Sequence, residues 1–520
     1  MRATHDIRSD SRCARLQEIS RIVTATVGLG LIMVAVLTGC RPIQGAGRDD
    51  FISLSSLPPG TVLIDPDRRK ADLTKTRLGI NLNFLLDDEA ARRPRRPLQA
   101  ALKEMGVGSL RFPGGEDSDG YLWSVPPFTE SVPTLARTGR GEWPANDVRF
   151  TFPDRRTLRD TLDFDEFMAI ANELGAEPVL VVCYDSMYKP AEDGGTAPDK
   201  ARLLKTAVEW VRYANITKGY GVKYWEIGNE SYLDSNNGST TAEQYAADLE
   251  EFSDAMKAVD PTIKIGANGL GLEWWREVLS SVASKIDFLS VHVYPVWGWE
   301  SYDYYRRRSV NPADPVVDAI EAVNAYAPAQ DRPRLRIAVT EANVGDWSPI
   351  FTWANDNDLG HALVAFDLFG RLLSVPEIDF IHLWTTRWIE ERFPPSVYDA
   401  LSPANELLPV GRAVAIWGQY SGGQLVAAAS HDPIRAYASY MPEGEGMTIF
   451  LLNKDSGVQA ASISTTRPVA SKSLERWVFR GTGPTDTAPI WERSPDVEIA
   501  DPTRIDLPPF SITVLSERRR

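Results

Sequence analysis

Cysteine is scarce in this chain. Three thiols, Cys13, Cys40 and Cys183, stand among 520 residues, too few and too scattered for a disulfide framework. Basic charge is short as well: 56 Lys and Arg against 71 Asp and Glu leave a net charge of −15. That balance argues against nucleic acid or an acidic membrane surface as a partner; a neutral sugar polymer is indifferent to it. No metal-ligand cluster, glycine-rich phosphate loop or redox motif occurs, so no metal and no other cofactor is expected. No repeat or low-complexity tract interrupts the chain. The apolar run Ile22–Thr38, seventeen residues long, is short for a membrane span. What is present is a 43% apolar content, enough for a large core, in a length for which two domains are the default. Fifteen Trp crowd into expected loops.

The first forty residues read as an address rather than as fold. Arg2, Arg8, Arg12, Arg15 and Arg21 precede the apolar run, which closes on Leu37-Thr38-Gly39-Cys40. A basic flank, an apolar stretch and small residues fit an export signal. The closing tetrapeptide resembles the lipobox of bacterial lipoproteins, which implies cleavage before Cys40 and a diacylated thiol there; a plain cleaved signal and an uncleaved anchor are the alternatives. The expected plan is a lipoprotein signal peptide over 1–39 and a tether over 40–60. The protein is then exported to the bacterial cell envelope and touches membrane only through Cys40. Losing residues 1–39, five arginines against three acids, moves the net charge from −15 to −17. Cys13 goes with the signal and Cys40 carries lipid, so Cys183 is left alone. No His partner stands next to it in sequence, and Cys183 reads as an inert buried thiol.

From residue 77 onward apolar strands alternate with amphipathic segments, the pattern of a parallel sheet wrapped by helices. Eight strands are expected, ending near Asn83, Pro113, Tyr184, Asn229, Ala267, Tyr294, Glu341 and Trp384. Helical patterns such as Phe164–Leu174 and Glu243–Val259 lie between them; Thr240 with Glu243 suggests a capping box and Gly175 an αL stop. Eight strand–helix units predict a (β/α)₈ TIM barrel over 61–404; two stacked α/β domains are the alternative. Long loops after the second and sixth strands carry Trp123, Trp297, Trp299, Tyr302, Tyr304 and Tyr305. After about Asn405, short apolar runs separated by Gly, Pro, Asn and Asp predict a C-terminal antiparallel β-sandwich over 405–520.

Barrel enzymes build their sites at the carboxyl ends of the strands. Here those ends offer Asn83, Arg111, Tyr184, Asn229, Glu230, His292, Tyr294, Glu341 and Trp384, a polar and aromatic ring that suits a carbohydrate. Two of them stand out. Lys223–Ser231 (KYWEIGNES) delivers Glu230 and Arg334–Asn343 (RLRIAVTEAN) delivers Glu341, each after an apolar strand. Glycoside hydrolysis needs an acid for the departing oxygen and a carboxylate facing the anomeric carbon.

Four stretches carry a resemblance. Thr61–Asn83 at the opening, Leu110–Gly115 (LRFPGG) followed by Tyr121-Leu122-Trp123, Gly228-Asn229-Glu230, and Glu341 occur in that order. The chain resembles the retaining glycoside hydrolases of clan A, and most of all the family 51 α-L-arabinofuranosidases. The resemblance implies Glu230 as general acid then base, and Glu341 as nucleophile, kept ionised by Arg111 and a hydrogen bond from Tyr294. It implies Asn229 on the sugar 2-hydroxyl, His292 near Glu230, and Asn83 and Trp384 as substrate-binding residues. It also implies that a short strand at 61–65 joins the C-terminal sandwich. Three positions depart from family 51: Asn83 stands where a glutamate usually ends the first strand, Glu116 where Asn follows Pro-Gly-Gly, and Trp384 (with His382) where the eighth strand carries a glutamine. A Trp there is more typical of pyranoside-cleaving families of the clan, where it floors the sugar pocket. The rivals are therefore a clan A β-glycosidase or glucuronidase, heparanase-like, on a pyranoside, and a non-catalytic glycan-binding lipoprotein. The partner expected in each case is an oligo- or polysaccharide.

Overall fold

In the computed structural model residues 58–517 are described, apart from 138–142, 189–196, 234–239, 296–298, 300, 308–313, 346–356, 389–395, 442–445 and 468–472. The expected signal peptide, Cys40, nearly all of the tether and Trp297 lie outside the described residues. Among the described residues no helix is long and apolar enough to cross a membrane.

The chain enters through β1 (Thr61–Asp72) and then begins the barrel with β2 (Arg77–Asn81) and β3 (Ser109–Phe112). A two-stranded hairpin, β4 (Tyr121–Leu122) and β5 (Thr134–Leu135), fills the loop that follows. The barrel continues with β6 (Glu177–Val182), β7 (Tyr224–Ile227), β8 (Lys264–Asn268), β9 (Phe288–Val293), β10 (Arg336–Ala342) and β11 (Ile378–Leu383). These eight strands are parallel, and β11 closes on β2. The expected (β/α)₈ barrel is borne out. Its strands are buried on both faces, which is why they read as continuous apolar runs.

Helices seal the outside for local reasons that the sequence states. Asp163 and Glu166 form a reciprocal capping box for the helix Phe164–Leu174, and Gly175 ends it at φ 64°. The cap expected at Thr240 falls one residue later. The helix Ala242–Val259 is capped by Thr241, whose oxygen accepts from the Gln244 amide.

The barrel interior is layered, because inward-facing residues recur every second position. Val179, Tyr224, Phe288, Ala338 and Phe380 make an apolar floor, with Tyr224 edge-on to Phe380 at 4.6 Å. One step up each strand the floor gives way to polar groups: Arg111 on β3, Glu226 on β7, Ser290 on β9 and Thr340 on β10. The catalytic-type residues sit above these.

The expected sandwich begins later than residue 405. The helix Pro409–Tyr420 follows the eighth strand and packs against the barrel helix Leu359–Leu373. It escaped detection because Gly411 and Gly418 break its apolar stripe. Both are there for contact: a Cβ on Gly418 would lie 2.0 Å from the Met105 carbonyl. Nine strands follow one another across the second sheet: β17 (Ile490–Glu498), β16 (Ser473–Arg480), β19 (Ser511–Ser516), β14 (Gly446–Asn453), β13 (Ile434–Met441), β12 (Gln424–Ser430), β1, β15 (Gln459–Thr465) and β18 (Thr503–Leu507). All pairings are antiparallel except β1 with β15. The sheet encloses its own core, including Val62, Ile64, Ile449, Leu451, Ile463 and Leu515. From its other face Tyr437, Phe450 and Ile512 join the core of the barrel.

Candidate active site

Register brings the polar residues together at the carboxyl end of the barrel. Asn81 lies beside Arg111 across β2 and β3, and Glu341 lies beside His292 across β10 and β9. The latter pairing needs an irregularity. Thr340 already faces inward, touching the Ser290 hydroxyl, so strict alternation would send Glu341 outward. The β9–β10 register slips between Val339 and Glu341, and the extra turn aims the carboxylate into the barrel.

Arg111 is the hub. It is fully buried, and its guanidinium meets four partners: Nε donates to Glu226 Oε2 at 2.9 Å, Nη1 to Asn81 Oδ1 at 3.0 Å and to Glu341 Oε1 at 2.9 Å, and Nη2 to Asn229 Oδ1 at 2.8 Å. A desolvated charge is tolerated only with such compensation. The second oxygen of Glu341 accepts from the Tyr294 hydroxyl at 2.7 Å.

Glu230 comes to the same point on a tight turn after β7. Gly228 has φ 75° and Glu230 itself φ 51°, a left-handed backbone that costs a non-glycine residue free energy. Two bonds hold it there: the Asn229 amide donates to Asp185 Oδ2 at 2.9 Å, and the Ser231 amide to Asn268 Oδ1 at 2.9 Å. His292 Nδ1 then lies 2.8 Å from Glu230 Oε1 and 3.5 Å from Glu341 Oε2. Tyr232 donates to Glu230 Oε1 at 3.3 Å. Ligand atoms of Glu230, His292 and Glu341 all lie within 4.8 Å of one another. So close an approach is what a retaining pair, with carboxyl groups roughly 5–5.5 Å apart, requires.

The two carboxyl groups are driven apart. Burial pushes Glu230 up, but the hydrogen bond and charge of His292 outweigh it and leave Glu230 below its usual range. Burial and the nearby charge of Glu230 leave Glu341 above its usual range despite His292 and Arg111. His292 would be lowered by burial, yet Glu341 and Glu230 hold it above its ordinary value. The three groups titrate together. Glu341 lies deep, its side chain 6% exposed, beneath the better-solvated Glu230 side chain at 20%.

Two expected site residues stand differently from the rest. Asn83 lies beyond the end of β2 and serves the loop: its Nδ2 donates to the Arg387 carbonyl at 3.0 Å, and its Oδ1 accepts from the Leu85 amide. Asn81 occupies the position at the strand end that had been given to Asn83. Trp384, 8% exposed, leans over Gly115, where a Cβ would fall 1.9 Å from its Cη2 atom. Gly115, at φ 52°, is the position at which the Pro-Gly-Gly turn admits the indole. Trp123 is no rim aromatic. It is fully buried, stacked on Trp210, and donates to the Thr206 carbonyl. Cys183 is buried with its thiol near the Asp119 carbonyl and the Ser186 hydroxyl.

Sequence reasoning missed Glu226, Asn81, Asp185 and Ser290. A charged residue inside the otherwise apolar stretch Tyr224–Ile227 was the available signal for Glu226.

Residues 101–309 match the family model of the α-L-arabinofuranosidase 1 domain. The chain is similar to the α-L-arabinofuranosidases. It is 24% identical over 286 residues to the intracellular exo-α-(1→5)-L-arabinofuranosidase 1 of Bacillus subtilis (strain 168), a match covering 51% of this chain and 50% of that protein. The chain thus spans about half the length of the curated relatives it matches. The structure of the family 51 α-L-arabinofuranosidase from Thermotoga petrophila RKU-1 superposes with a TM-score of 0.67 at 20% identity, over 88% of this chain and 100% of that one. CelM2, a bifunctional glucanase-xylanase from a metagenome library, superposes at 0.62 with 16% identity, over 89% and 100%. The family resemblance drawn from the motifs is borne out. So is the pairing of barrel and C-terminal sheet.

Proposed function

We propose that this protein is a retaining glycoside hydrolase of the α-L-arabinofuranosidase type, acting by double displacement through a covalent glycosyl-enzyme. The observation that carries the reading is the close approach of Glu230 and Glu341, within 4.8 Å, with Glu341 held by Arg111 and Tyr294. In the first step a Glu341 oxygen attacks the anomeric carbon as the glycosidic bond breaks, and Glu230 gives its proton to the departing oxygen. Glu230 needs a proton for that, and His292 Nδ1, 2.8 Å away, is placed to share one. In the second step Glu230 takes a proton from water, the water attacks the same carbon, and Glu341 leaves. Asn229, fixed by Arg111, faces the sugar 2-hydroxyl.

Glu230, His292 and Glu341 also form the one group among the described residues whose donors could converge on a metal ion. Arg111 and Tyr294 already engage both oxygens of Glu341, so a cation there would compete with a buried arginine. Activity is expected to survive a chelator unchanged; loss on chelation and return with a divalent ion would overturn the carboxylate reading.

Export and diacylation at Cys40, with the enzyme tethered at the cell envelope and acting on an oligo- or polysaccharide, belong to the same proposal. One observation favours a second substrate class: Trp384 over Gly115 is a flat aromatic floor, which suits a pyranose ring. A panel of aryl glycosides tests both. Turnover of the α-L-arabinofuranoside above all others supports the leading reading. Preference for a β-pyranoside or glucuronide moves the protein to another clan A specificity, and no turnover of any member leaves only glycan binding.

A further inference from the structure

Glu226 is a fully buried acidic group of this barrel to which the chemistry above gives no role. It lies inside β7 with no solvent exposure, one layer below the reacting carboxylates. Burying a carboxylate here is costly unless it is fully compensated, and it is: Oε2 accepts from Arg111 Nε at 2.9 Å and Oε1 from the Ser290 hydroxyl at 2.5 Å. Ser290 in turn contacts Thr340, the neighbour of Glu341 at the register slip. A single guanidinium thus stands between two buried carboxylates, Glu226 and Glu341.

We propose that Glu226 is a positioning residue for the nucleophile. Holding Arg111 by its Nε edge fixes the rotation of the guanidinium plane, so that Nη1 meets Glu341 and Nη2 meets Asn229. It also divides the charge. Arg111 cannot fully neutralise Glu341 while it is paired with Glu226, and Glu341 remains a more basic, more nucleophilic carboxylate than an exclusive Arg–Glu pair would allow. The groups that surround Glu341 include Arg111, His292, Tyr294, Tyr232 and Glu230, and Glu226 is met by Arg111 and Ser290 with Tyr232 and Tyr245 near by. A merely structural role predicts only a change in stability; the proposed one predicts a change in the titration of Glu341.

The proposal rests on the glycosidase reading, and the experiment separates the two. Glu226→Gln keeps the shape and an acceptor for Arg111 Nε but removes the charge; Glu226→Asp restores the charge at a shorter reach. In Glu226→Gln the whole guanidinium charge falls on Glu341. The acid limb of kcat/KM is then expected to move about one pH unit or more to lower pH. kcat on an activated aryl glycoside is expected to fall about tenfold or more, with KM little changed, and Glu226→Asp is expected to recover part of both. An acid limb and kcat within twofold of wild type in a folded Glu226→Gln protein would overturn the proposal. Carboxyl-carbon NMR of protein labelled on glutamate provides a readout that needs no turnover. Its Glu341 signal, identified by its loss in Glu341→Gln, is expected to titrate lower in Glu226→Gln. Were no glycoside turned over by wild type, the function would fall while this shift still decided the role of Glu226; an unshifted signal would sink the role alone.

Discussion

At the scale of residues, Glu230 and Glu341 make different and opposite predictions. Deglycosylation needs Glu230 only to activate water, and an aryl leaving group of low pKa hardly needs its proton. Glu230→Ala is therefore expected to form the glycosyl-enzyme from such a substrate and then stall, losing about 10²–10⁴ in kcat, the usual reach of acid–base catalysis. Azide needs no base and should restore turnover, giving a glycosyl azide of retained configuration. Glu341→Ala lacks the nucleophile of the first step and should be inactive on every substrate; azide could rescue it only to the inverted product. Product configuration by NMR checks both. Inverted product from Glu230→Ala exchanges the roles, and wild-type activity in both variants removes the pair altogether.

The same scale shows what the sequence could and could not reveal. Both glutamates were legible because each ends an apolar strand. Glu226 was not, since attention to strand ends passes over a carboxylate placed inside one. Nor could alternation reveal that Glu341 points inward, because its direction depends on a register slip at Thr340 that only the neighbouring strand defines. Asn83 was preferred to Asn81 for a related reason: the apolar run continues to Phe84, but pairing stops at Asn81 and the chain turns away.

At the scale of elements, the turn after β3 and the end of β11 are built as one unit. Gly115 has no room for a side chain and a positive φ that favours glycine, and the space above it is filled by the Trp384 ring. Gly115→Ala is expected to leave the fold intact, since the turn lies at the rim, but to push the indole off its seat. kcat/KM should fall about tenfold, ~1.4 kcal/mol, mostly through KM, and Trp384→Ala should do at least as much. If Gly115→Ala binds and turns over substrate as wild type does, Trp384 is not the floor of the sugar site.

Elements were read well wherever one face or both are uniformly buried, and poorly where packing overrides pattern. The helix Pro409–Tyr420 is the clearest instance, with glycines placed for close approach to neighbouring backbone. β1 is another. Its second half, Pro66–Asp72, carries five charged residues and reads as linker, yet it pairs with β12 through two register shifts that turn those charges outward.

At the scale of the whole molecule, β1 joins what precedes the catalytic barrel to the sheet that follows it in sequence. It lies between β12 and β15, seventh in the nine-stranded order, with Val62 and Ile64 wholly buried in the sheet's own core. The tether that Cys40 would anchor leads directly into this strand. Two predictions separate anchorage from folding. Cys40→Ala, expressed in a bacterium with lipoprotein processing, is expected to lose fatty-acid labelling and leave the membrane fraction while keeping kcat/KM. Label retained in Cys40→Ala would remove the anchor. A chain begun at residue 58 should likewise fold and turn over substrate. A chain begun at residue 74 should not, although every candidate catalytic residue is still present. Burying Val62 and Ile64 contributes about 1.5–3 kcal/mol each, and losing β1 also leaves the facing edges of β12 and β15 without their hydrogen-bond partner. That loss is comparable with the roughly 5–15 kcal/mol by which a domain is stable at all. Two exposed edges inside a sheet also invite intermolecular pairing, so the shorter chain should be recovered as aggregate. Thermal unfolding and light scattering of the two truncations decide it: a soluble, active chain lacking residues 58–73 would show that the barrel stands without the strand.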